Sequence, residues 1–193
     1  MKKLLIAAAL ATAFTGVTAQ AASTDSSGTI TFNGELTATT CKVNVNGSGN
    51  SDGDVTLPTL ETSTMSAQAA TAGDTHFNMA LTECKLANDM TEVSAFFQYG
   101  STVNTNGRLT NQSTATEKSN VTLELLDANS TTLNVIAVGD DSQKANASYK
   151  EVTLDANGVG SASLDYVVRY YAEDAAATAG KVSSSVVYAL QYK

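Results

Sequence analysis

The chain carries one histidine, one proline and two cysteines among its 193 residues. With His76 the sole histidine, a hydrolytic triad is not expected, because a nucleophile needs a base beside it and a third group to orient that base. Two cysteines without C-x-x-C spacing and one histidine do not make a tetrahedral metal set. Phosphate-loop and dinucleotide patterns are absent, and the oxygen-rich stretch NGSGNSDGD at 46–54 lacks the spacing and terminal glutamate of an EF-hand loop. We expect no enzyme, no metal and no cofactor. His76 reads as an incidental histidine at a loop-to-strand junction, and Asp140-Asp141 reads as a solvated turn.

Positive charge is also scarce. Lys2 and Lys3 sit ahead of a short apolar run, Leu4 to Phe14, followed by Ala19-Gln20-Ala21. That order is a secretory signal, with a basic start, an apolar stretch too short to span a bilayer, and small residues where a signal peptidase reads. Cleavage after Ala21 leaves 9 basic against 19 acidic residues, a net charge of −10. Nucleic acid and anionic membrane both require a basic face, so neither is expected as a partner, and no membrane insertion is expected. In an exported chain the two cysteines, Cys41 and Cys84, suggest one disulfide. It closes a loop worth about 3–4 kcal/mol if unstrained.

What remains is rich in Thr, Ser, Val, Asn and Gly, with no long helical pattern and no composition break that marks a second domain. Short runs alternate with period two between turn signals. Val43 and Val45 share a face, as do Phe77, Met79 and Leu81. DVTLPTL, EVSAFFQYG and VTLELLD continue the pattern, and ANSTT makes a hairpin connection to LNVIAV. A turn at Asn157-Gly158 leads to a long strand with Leu164, Tyr166, Val168 and Tyr170 on one face. Residues 62–75 read as a crossing loop and 172–180 as the loop before the last strand. Such spacing predicts an antiparallel β-sandwich.

The two ends of the mature chain are the most specific parts. GTITFNGELTATTC, residues 28–41, alternates Ile30, Phe32 and Leu36 on one face, with Gly34 interrupting the row. GKVSSSVVYALQYK, residues 180–193, begins at Gly180, alternates Val186, Tyr188, Leu190 and Tyr192, and has tyrosine in the penultimate position. With the signal and the two cysteines, these stretches resemble a chaperone–usher fimbrial (pilus) subunit, most closely the type 1 fimbrial major subunit family. VVRYYA at 167–172 resembles that family's penultimate strand region, while the middle of the chain resembles it only in length and character.

The resemblance implies an all-β fold: an incomplete immunoglobulin-like sandwich that lacks its last strand and is completed by a donor strand from another subunit. It implies a structural subunit that polymerises by donor-strand exchange into a surface rod used in adhesion. Its partners are identical or related subunits, a periplasmic chaperone and an outer-membrane usher. The chain then divides into a signal, 1–21, a donor-strand extension, 22–36, and the pilin domain, 37–193. Ile30, Phe32 and Leu36 fill pockets between the sheets, and Gly34 lies where backbone passes close to packed core. Gly180, Val186, Tyr188, Leu190, Tyr192 and Lys193 form the acceptor and chaperone-binding strand, with the Lys193 carboxylate gripped by the chaperone. A minor adaptor of the same fimbria has the same features, and a secreted monomeric β-sandwich instead has a complete fold with no partner strand.

Overall fold

The computed structural model describes residues 30–32, 40–87 and 89–193. The expected signal, and Gly34 and Leu36 of the expected donor row, lie outside the described residues. Ile30 and Phe32 lie within them and are 77% and 88% exposed, in backbone without regular structure. The fold that follows is that of residues 40–87 and 89–193.

The strands are β1 (Thr40–Val45), β2 (Thr71–Lys85), β3 (Glu92–Phe97), β4 (Thr122–Asp127), β5 (Asn134–Ile136), β6 (Lys150–Glu151), β7 (Thr153–Leu154), β8 (Gly160–Tyr171) and β9 (Tyr188–Tyr192). A 3₁₀ turn spans Thr62–Met65 and a short helix, α1, spans Ser142–Asn146. One sheet runs β1-β2-β8-β4-β5, with β7 on β8, and the other runs β6-β3-β9; all pairings are antiparallel. Period-two alternation accounts for the layers, because each strand buries alternate side chains between the sheets. Met79, Leu81, Leu123, Leu125, Leu164 and Val168 meet Val93, Ala95 and Phe97 there. Tyr166 joins the layers twice. Its ring packs edge-on against Phe97 at 5.1 Å, and its hydroxyl accepts a hydrogen bond from the Ala95 N–H at 3.0 Å.

Cys41 and Cys84 are disulfide-bonded, tying edge strand β1 to its neighbour β2 across a Cα–Cα distance of 4.0 Å. Opposite Cys84 stands Gly160, where a Cβ would lie 2.5 Å from a Val152 methyl and 3.0 Å from the Cys84 Cβ. Only glycine fits there.

Several expectations need correction. His76 lies in the middle of β2, opposite Val167, and not at a strand junction; its side chain is solvent-facing on the outer side of the sheet. The crossing loop is shorter than expected, because Thr62–Met65 forms a 3₁₀ turn and β2 already begins at Thr71. DVTLPTL carries no strand ladder. VTLELLD is buried on both faces. Its outward Glu124 is only 2% exposed because Arg108 and Arg169 close over it, at 2.8 and 2.6 Å.

Candidate functional site: an open seam beside the last strand

β9 is an edge strand. It pairs with β3 from Tyr188↔Phe97 to Tyr192↔Val93, and the pairing extends at both ends. The Gln98 N–H donates to the Val187 carbonyl at 2.8 Å, and the Glu92 N–H and Lys193 carbonyl bond at 3.0 Å. Upstream, Gln112 N–H donates to the Ser183 carbonyl, Thr102 Oγ1 donates to the Ser185 carbonyl, and Lys181 bonds to Glu117 and Ser119. The odd-numbered residues of 181–193 therefore bond to β3 and to residues 98–119. In extended backbone the N–H and C=O of alternate residues point to opposite sides. The even-numbered groups, Val182 through Tyr192, face the other way.

On that side lies a groove of about 640 Å³. Its far wall is residues 51–57, and its floor is core: Phe77, Met79, Phe97, Leu123, Leu125 and Val168. Among the described residues, no main-chain hydrogen bond ties 51–60 to either sheet. Side chains hold the wall instead. The Tyr188 hydroxyl donates across the groove to the Ser51 carbonyl at 2.7 Å, and the Tyr170 hydroxyl donates to the Pro58 carbonyl at 3.2 Å. Burial, followed by the nearby Asp52 carboxylate, pushes the Tyr188 pKa up. Burial alone raises those of Tyr170 and Tyr192. These hydroxyls stay protonated and able to donate. Ser184 also lines the groove, and its Oγ is buried with no hydrogen-bond partner among the described residues. Two main-chain edges without mutual bonds flank an apolar floor, and this arrangement can take up an extended peptide by strand addition.

Of the residues singled out by sequence, Tyr188, Leu190 and Tyr192 lie in β9, and with Val186 their side chains pack half-buried against the core. Val186 precedes β9, and Gly180 lies at a bend ahead of that segment. The Lys193 carbonyl accepts from the Thr91 and Glu92 N–H groups at 2.9 and 3.0 Å. Sequence reasoning missed Val182 and Ser184, which the parity of Val186 would have supplied. It also missed the wall at 51–57, where Val55 and Leu57 alternate.

Gly180 anchors the start of this segment. Its φ is +147°, and a Cβ would lie 2.4 Å from the Lys118 carbonyl carbon and 2.5 Å from the Ser119 nitrogen. Both contacts are backbone and cannot rotate away. Gly180→Ala is expected to destabilise by about 1–3 kcal/mol, the range for forced backbone strain. Urea unfolding measures it, and an unchanged midpoint would show that the segment shifts freely.

A two-sheet antiparallel sandwich with one edge open over its own core is an incomplete immunoglobulin-like fold of the pilus-subunit class. Its fold is shared by the P pilus rod subunit PapA, with a TM-score of 0.52 at 17% identity over 79% of this chain and 99% of PapA. The family model for type-1 fimbrial protein A (FimA) matches residues 57–193. The major fimbrial subunit SMF-1 of Stenotrophomonas maltophilia is 42% identical over 166 residues, covering 86% of this chain and 92% of the relative. A major fimbrial subunit of Haemophilus influenzae is 28% identical across the whole of both chains. The chain belongs to the type-1 fimbrial protein family, whose members are structural, non-enzymatic subunits of cell-surface fimbriae.

Proposed function

We propose that this subunit builds its fimbria by donor-strand exchange, with the N-terminal arm of one copy filling the groove of the next. The observation that carries this reading is the row of outward main-chain groups on the even residues of 182–192, set over an apolar floor. Ile30 and Phe32, strongly exposed in their own chain, gain about 1.5–3 kcal/mol each on burial in a neighbour's groove. Leu36 adds a third plug. Tyr188 spans the groove to Ser51, and Gly34 is the arm residue suited to cross it without a side chain. The unpartnered Ser184 hydroxyl supplies the incoming strand with a hydrogen-bond donor. Before assembly the same groove takes a strand from a periplasmic chaperone, after export and cleavage behind Ala21, and the outer-membrane usher is where the exchange occurs.

The test deletes residues 22–36 and purifies the protein with its matching chaperone. A folded one-to-one complex that forms no polymers is expected. Fibres like those of the intact chain would falsify the assignment.

A further inference from the structure

The three-stranded sheet has a second edge, on the far side of β3. There the odd-numbered residues point outward, because the even-numbered ones bond to β9. The Thr91 carbonyl accepts from the Val152 N–H at 2.8 Å, and Val93 pairs with Lys150 of β6. Beyond β6 no strand continues, yet the ladder does not stop. The Ala95 N–H donates to the Tyr166 hydroxyl. The Phe97 N–H donates to Gln143 Oε1 at 2.9 Å, and the Phe97 carbonyl accepts from Gln143 Nε2 at 2.9 Å and from the Gly139 N–H at 2.9 Å.

Gln143 sits on α1 and is 6% exposed. Its primary amide presents one acceptor and one donor to Phe97, as the peptide groups of a neighbouring strand would. Beside it a cavity of about 230 Å³ separates β3 from β5 and is lined by Ala95, Asp127, Val135, Ile136, Gln143 and Tyr166. β5 is itself the outer strand of its sheet. The sandwich therefore has two seams of similar make-up: an edge of the small sheet on one bank and core residues beneath. One is open. The other is closed at Phe97 by the Gln143 side chain, with the Gly139 N–H beside it.

We propose that Gln143 is a specificity-determining residue for strand addition. By occupying the far edge of β3 it confines an incoming strand to the β9 edge, so that each subunit accepts one strand. A strand arriving at the far edge must first break both Gln143–Phe97 hydrogen bonds and the one from the Gly139 N–H, leaving Gln143 Oε1 without its partner, and such orphaned buried groups are costly. The role assigned to the groove rests on the donor-strand reading, whereas the guarding of β3 does not.

The probe is a synthetic peptide with the sequence of residues 28–36, added in excess to the full mature chain and counted by native mass spectrometry. Wild type is expected to bind one peptide. Gln143→Ala is expected to bind two, or to form oligomers at concentrations where wild type stays monomeric. Its Phe97 amide should exchange with solvent about tenfold faster, as the loss of one hydrogen bond implies. If Gln143→Ala does not fold, Gln143→Asn takes its place, since the shorter side chain withdraws the amide from Phe97 but keeps its polarity. A folded variant that binds one peptide and gains no oligomers overturns the proposal. If wild type binds no peptide, the donor-strand reading fails instead. The edge assignment is then decided by exchange and self-association: faster Phe97 exchange with new oligomers supports it, and their absence overturns it.

Discussion

Glu124→Ala is expected to destabilise the subunit by about 3 kcal/mol, near the lower end of what breaking a buried ion pair costs. Glu124 lies at the centre of a row across three chain segments. Its Oε1 accepts from Arg108 Nε at 2.8 Å, and its Oε2 accepts from Arg169 Nε and Nη2 at 2.9 and 2.6 Å. Arg108 also lies 3.6 Å from the centroid of the Tyr171 ring and pairs with Glu173 at 3.2 Å. Removing the carboxylate leaves two guanidinium groups near each other with no charge between them. Both arginine side chains keep about a fifth of their surface in water, which lowers the cost. Glu124→Gln keeps an acceptor and should lose less. The effect reaches the groove, because Arg108 belongs to the chain between β3 and β4, whose Gln98, Thr102 and Gln112 hold the segment before β9. Urea unfolding and uptake of the residue 28–36 peptide should therefore weaken together. A variant with an unchanged midpoint would mean that the row is only a solvated ion cluster.

The second large effect is loss of the disulfide. Cys41→Ser with Cys84→Ser is expected to cost about 2–5 kcal/mol, the range for removing a native disulfide from a small exported domain. The sequence separation of 43 is long enough for the cross-link to restrict the unfolded chain appreciably. Cys84 is fully buried, so a serine there also places a hydroxyl in the core. β1 pairs with β2 along one edge only, so it is the strand most dependent on the link. Unfolding with and without reductant, with thiols counted on the folded fraction, measures the effect. Equal midpoints for oxidised and reduced protein would refute it.

How much was legible in the sequence depended on where each residue's partners lie. Phe77-Met79-Leu81, Leu164 to Tyr170 and Val186 to Tyr192 were legible because alternation is a local pattern that the sheet only has to accept. The cysteine pair was legible from count and export alone. Residues 54–60 read as a strand because Val55 and Leu57 alternate, but alternation cannot show whether a neighbour supplies hydrogen bonds. α1 is five residues long and leaves almost no periodic trace. No local pattern marks Gln143 or Glu124, since their partners stand 46, 16 and 45 positions away in the chain. Their burial is a tertiary fact. Gly180 was marked by resemblance alone, and its reason is the backbone of Lys118 and Ser119.

The parity of 182–192 has a mechanical consequence. All the outward groups lie in one line, parallel to the chain. A strand joined along that line and pulled lengthwise loads every hydrogen bond in shear at once, and none yields before the rest. Peeled sideways, the same bonds would open one by one. The seam is thus strongest in the direction of its own strand, and a fibre whose joints align that way bears tension far better than bending at the joint.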